Sequence, residues 1–162
     1  MFTVNKKEES LLNVTFPMAK KTILCAIDFS ESSLKALKYT MTMAEVYHAQ
    51  VTVLFCYRLI ATDDEGESLT MKRGIEAKAL QQFHEVEKKL DHATTVPYQF
   101  LTEIGFFPSR IEMFMRKTPV SLLVMGNSVV KNFNEYKNLS FDQFLNETKV
   151  PVVVVPEESM IF

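Results

Sequence analysis

Glycine is scarce in this 162-residue chain: four residues stand where average usage would give about eleven. They are isolated from one another, at Gly66, Gly74, Gly105 and Gly126. A Walker A loop and a G-x-G-x-x-G fingerprint both need clustered glycines to bring backbone up to phosphate, so both are excluded. Charge of one sign is missing too, with 18 Lys plus Arg against 20 Asp plus Glu and a net charge of −2. Without a basic run, the electrostatic footprint of a nucleic-acid-binding domain is absent. No apolar run reaches the roughly 18 residues of a membrane-spanning helix. At the N-terminus, Lys6-Lys7 is followed by Glu8-Glu9 where a secretory signal would place an apolar stretch. The only two cysteines, Cys25 and Cys56, both lie in apolar runs and read as buried, reduced thiols of a cytoplasmic protein. Three scattered histidines leave no metal-ligand spacing.

What is present is a foldable core, since 47% of the residues are apolar. Thr22-Ile23-Leu24-Cys25-Ala26-Ile27 is a continuous apolar run of the kind that forms a strand buried on both faces. After Asp28-Phe29-Ser30, apolar residues at Leu34, Leu37, Met41 and Ala44 form one helical stripe. Val51–Tyr57 predicts a second strand, and Asp63–Glu67 an acidic, solvated loop rather than a metal site. A longer helix carries Ile75, Ala79, Phe83, Val86 and Leu90 on one face. Val96–Ile104 predicts a third strand stopped by Gly105, and Pro108 suits the first turn of a helix running to about Lys117. Ser121–Met125 predicts a fourth strand ending at Gly126, followed by an irregular stretch. Ser140-Phe141-Asp142-Gln143 has the form of a capping box opening a last helix, and Val150–Val155 a last strand.

Strands alternating with helices predict a single α/β domain: an open, doubly wound parallel sheet with helices on both faces. In such sheets ligands sit beyond the carboxyl ends of the strands, where the strand order reverses. Asp28, Cys56 and Gly126, following the first, second and fourth strands, are the candidate site residues. Asp28 has two readings. It caps the first helix together with Ser30, or its carboxylate recognises the ribose or base of a ligand. A phosphoacceptor aspartate is excluded, because the further acidic residues and the lysine that such a site needs are missing from the other strand ends.

The run Ile23-Leu24-Cys25-Ala26-Ile27-Asp28-Phe29-Ser30-Glu31-Ser32-Ser33 resembles the opening of a universal stress protein domain. Leu122-Leu123-Val124-Met125-Gly126 with Val150-Pro151-Val152-Val153-Val154-Val155 is similar to its closing part. The resemblance runs from about Lys20 to Pro156. It implies a five-stranded Rossmann-like fold, of the adenine nucleotide alpha hydrolase-like kind, with strand order 3-2-1-4-5. The domain would span residues 18–162, preceded by an arm over residues 1–17.

Many members of that family bind ATP through a glycine after the fourth strand, a second after two spacer residues, and a third nine residues on before Ser or Thr. Gly126 fills the first place and Asn127-Ser128 the spacer, but Val129 and Leu139 stand where the other two glycines belong; Ser140 keeps the hydroxyl. A β-branched residue is an outlier at φ > 0, so Val129 imposes another conformation on this stretch. Leu139 sets an apolar side chain where anionic oxygens would lie, a desolvation costing on the order of kilocalories. The resemblance thus implies an altered nucleotide site at Asp28, Cys56, Met125, Gly126, Ser128 and Ser140. Ser140 itself reads as the helix cap, with anion binding as its other use. No Ser-His-Asp or Cys-His set can be assembled, and no catalytic residue is expected.

The last strand carries no charge, and in the implied order it is an edge, open to pairing with another chain. Family members commonly pair there, which implies a homodimer through Val152, Val153, Val154 and Val155. In the arm, Leu12, Val14 and Phe16 alternate with Asn13 and Thr15, a pattern for a short strand or for packing across apolar surface. Two functions stand: a non-catalytic stress-response protein without a cofactor, acting through dimerisation and partner binding, or an ATP- or AMP-binding signalling module with at most slow hydrolysis.

Overall fold

A computed structural model describes residues 21–90, 95–135 and 140–157 of the chain. Five strands, β1 (Thr22–Ile27), β2 (Gln50–Tyr57), β3 (Tyr98–Ile104), β4 (Leu122–Gly126) and β5 (Val152–Val155), form one sheet in the order β3-β2-β1-β4-β5. All neighbouring pairs are parallel, with Ile23 opposite Val51 and Leu122, and Leu123 opposite Val152. The helices are α1 (Glu31–Tyr47), α2 (Glu65–Glu87), α3 (Phe107–Lys117), α4 (Asn127–Phe133) and α5 (Phe141–Glu147).

The central strand shows why the sheet is covered twice. Successive side chains of a strand point to opposite faces. Ile23, Cys25 and Ile27 enter a core with Leu37 of α1 and Phe83 of α2, while Leu24 and Ala26 enter another with Ile111 of α3, Phe133 of α4 and Phe144 of α5. Every residue of β1 is buried, as the unbroken apolar run requires. On the first face Phe83 stacks on Phe100 of β3, ring centroids 4.4 Å apart.

The ends of the elements follow local chemistry. Ser30 caps α1 by accepting from Ser33 N–H, and His48 closes that helix in the left-handed region. Gly105, at φ 139°, ends β3 in a conformation that disfavours any side chain. The acidic segment Asp63–Glu67 is not wholly a loop. Asp64 accepts from the N–H groups of Gly66 and Glu67 and starts α2 at Glu65, where Glu65 and Glu67 complement the positive end of the helix dipole. The stretch after Gly126, expected to be irregular, forms α4. Among the described residues no helix is long and apolar enough to cross a membrane, and no group of three or more His, Cys, Asp or Glu is placed to hold a metal ion.

Candidate functional site

The strand order reverses between β1 and β4, and the residues leaving these two strands meet. Asp28 follows β1, and the next residue, Phe29, turns the chain with φ 62°. That conformation is uncommon for a bulky side chain. Here it is held by the ring of Phe29, which packs on Phe55 of β2 and Phe100 of β3 at centroid distances of 5.1 and 6.2 Å. The turn points the Asp28 carboxylate back at the first turn of α1. Oδ1 accepts from the Ser30 N–H at 3.0 Å and from the Ser33 hydroxyl at 2.6 Å, while Asp28 N–H donates to the Ser33 Oγ at 3.0 Å.

The other carboxylate oxygen is engaged from β4. Ser128, in the first turn of α4, donates its hydroxyl to Asp28 Oδ2 at 2.5 Å, and its N–H donates to Ser32 Oγ at 3.2 Å. Ser30 Oγ lies 3.3 Å from Ser32 Oγ, closing a ring of hydroxyls around the carboxylate. Burial by itself pushes the Asp28 carboxyl up. Hydrogen bonds from Ser128, Ser30 and Ser33 outweigh it, and the group sits below its ordinary value of 3.8. Asp28 is therefore an ionised acceptor at neutral pH, with three protein donors on its two oxygens.

Gly126 is at this junction for space and not for conformation, since its φ of −78° suits any residue. A Cβ there would stand 2.5 Å from the backbone carbon of Ser32 and 2.6 Å from the Ser33 nitrogen. The first turn of α1 thus rests directly on the end of β4. Met125, one residue earlier, is wholly buried in the second core. Val129 occupies a helical position in α4 and is wholly buried beside Phe133 and Phe144. The segment is a helix with one face in the core: Ser128 turns to Asp28, and Val129 turns to the sheet.

Cys56 was expected just after β2, but it is the penultimate residue of that strand and buried among the second-face core. Pairing with β3 carries the strand on to Tyr57, with Cys56 opposite Glu103 and Tyr57 opposite Ile104. Burial and the charge of Glu103 raise its thiol to about 12, against a lowering by Arg110, so it is an inert apolar group at neutral pH. A cleft of 140 Å³ lies beside it, bordered by Arg58, Gly105, Phe106 and Asn132. Ser140 caps α5: its hydroxyl accepts from Gln143 N–H at 3.2 Å, and its own N–H donates to Gln143 Oε1 at 3.1 Å. The position of Leu139 and the arm over residues 1–17 lie outside the described residues. Sequence reasoning assigned no role to Ser32 and Ser33, and none to the turn at Phe29. The signal was an aspartate followed at two, four and five residues by serines, a spacing that returns hydroxyls of a first helical turn to the carboxylate.

A parallel sheet in this order, with helices on both faces, defines an α/β protein of the Rossmann-like class. The family model described as universal stress protein family matches residues 20–156, and the chain belongs to that family. Three solved structures illustrate the shared fold. A universal stress protein from Burkholderia pseudomallei is 20% identical with a TM-score of 0.60, over 84% of this chain and 96% of that one. UspA from Lactobacillus plantarum is 16% identical with a TM-score of 0.62, over 85% and 99%. A universal stress protein described in complex with cAMP is 17% identical with a TM-score of 0.62, over 87% and 100%. No curated protein matches the chain in sequence.

Proposed function

We propose that this chain is a non-catalytic stress-response protein that acts through self-association and partner binding and has given up the family's usual mode of ATP binding. The observation that carries this reading is the engagement of Asp28. Its carboxylate already accepts from Ser30, Ser33 and Ser128, so most of its roughly four acceptor positions are taken up within the protein before a nucleotide arrives. The burial of Val129 in the core points the same way, because a phosphate approaching that segment would meet a helix and not a glycine loop. Support for self-association comes from the uncharged edge strand β5, where Val154 is 39% exposed. We take residues Val152–Val155 as the homodimer interface.

A second reading, adenine-nucleotide binding, is favoured by the cAMP complex of one structural relative and by the retained acceptor at Asp28. Calorimetric titration with ATP, ADP, AMP and cAMP, with magnesium present, separates the two. Absent or millimolar affinity supports the first reading, and a micromolar constant overturns it. Sizing at micromolar concentration checks the dimer, which a monomeric profile would remove.

A further inference from the structure

The outer face of α1 carries an apolar seam. Tyr39, Met43 and Val46 are spaced four and then three residues apart, the alternation by which one helix packs on another. Tyr39 and Val46 are 42% and 67% exposed, and Tyr47 beside them is 54% exposed. Past Met43 and Tyr47 the seam runs on into a cleft of 260 Å³, bordered also by Ile23 and Leu122 at the amino end of the sheet. Apolar side chains grouped in this way on one exposed face mark an interaction surface. Thr42, the polar residue among them, donates its hydroxyl to the Lys38 carbonyl at 3.2 Å, so covering it orphans no donor. One flank of the seam carries Lys38 and Glu45, seven residues and about 10 Å apart along the helix and therefore on the same side. Lys35 is already held by Glu31 at 2.9 Å. Lys38 and Glu45 are exposed and meet no opposite charge among the described residues.

We propose that a second copy of this chain packs its own α1 antiparallel on this seam, as an interface separate from β5. A two-fold axis beside Thr42 makes every contact twice. It sets Tyr39 against Val46 of the partner subunit and brings Lys38 within side-chain reach of Glu45 of the partner subunit. The flank that carries both charges meets its own copy, so each lysine finds a glutamate. A parallel pairing would instead set lysine against lysine and glutamate against glutamate. The pattern of charges beside the seam is thus complementary to itself, and only in the antiparallel sense. The contact does not depend on β5, and where β5 pairs too, assembly goes past the dimer.

Thr42→Cys in the full-length protein puts a thiol near the axis. The native Cys25 and Cys56 are buried, their thiols raised to about 12, and do not compete for a maleimide at neutral pH. A bismaleimide spanning the roughly 8–10 Å between packed helices is expected to link two copies at micromolar protein. Lys38→Glu sets like charges together twice and is expected to weaken association about fivefold, and adding Glu45→Lys to restore it. Both positions are exposed, and circular dichroism checks that the fold is kept. Within one helix only residues three or four apart are neighbours, so the rescue reports contact between copies. Absence of the cross-link overturns the proposal, as does a yield that Lys38→Glu leaves unmoved or a loss that Glu45→Lys does not repair. Val154→Lys, which charges the β5 edge, is expected to leave the cross-link in place. Its disappearance there overturns the proposal, and its persistence supports it whether or not β5 pairs, so the two interfaces fail separately.

Discussion

The two chain segments that leave the central strands at the carboxyl edge of the sheet solve the same problem differently. After β1 the chain turns at Phe29 and enters α1 through polar side chains, with Ser30 as the cap and Asp28 folded back on Ser33. After β4 it enters α4 with no side-chain cap, and holds its place by burying Val129 and Phe133. One junction is organised by hydrogen bonds and the other by packing, and Ser128 ties them together across the switch point. The comparison separates two meanings of glycine in this region. At Gly126 α1 leaves no room for a side chain, whereas position 129 is part of the core and filled by one.

Val129→Gly presses hardest on this contrast. It removes a wholly buried side chain and puts the least favoured non-proline residue inside a helix. The transfer and helix terms together give a loss of roughly 3 kcal/mol, read from the shift of the urea midpoint. The variant is also expected to gain no ATP affinity, since Asp28 keeps its three donors. A loss well under about 1 kcal/mol would show that the segment is a loop in all but name.

Gly126→Ala tests the other glycine position. The added Cβ meets backbone atoms of Ser32 and Ser33, which a rotamer change cannot relieve, so α1 must shift away from β4. Overpacking of this kind costs about 1–3 kcal/mol. The same substitution at Gly74, where an added Cβ meets nothing within 4 Å, is expected to be neutral or mildly stabilising because Gly74 lies inside α2. Equal effects at the two positions would break the argument that Gly126 is retained for space.

The fold was legible in the sequence because its signals are local and repeated. β1 is an unbroken apolar run, Phe83 and Val86 sit on a helical stripe, and Ser140 with Gln143 makes the capping box that their spacing implies. The strand order came from the resemblance of the two motif segments, not from periodicity. The site was less legible. A valine at position 129 spoke against a positive-φ turn there, but a loop and a seven-residue helix are equally open to so short a stretch, and burial with Phe144 from a later element decides between them. Similarly, Asp28 stood out as an acidic residue at a strand end, while its engagement depends on Ser128, a hundred residues away.

A further expected effect lies in the acid limb of stability. Asp28 sits below its ordinary value of 3.8 in the folded protein, so its contribution is present above that value and is lost as pH falls through the folded value. Ser128→Ala removes one of the three donors, at a loss of about 1.5 kcal/mol near neutral pH for a hydrogen bond to a charged group. Because burial then opposes ionisation with less compensation, the carboxyl should move back up, and the variant should begin to lose this contribution at a higher pH than the parent. Urea midpoints measured from pH 7 down through the acid limb should show the gap between the two proteins narrowing as the two carboxyls become protonated. A gap that stays constant over that range would mean that Ser128 acts through packing alone, and the hydrogen-bonded junction after β1 would then be independent of the packed junction after β4.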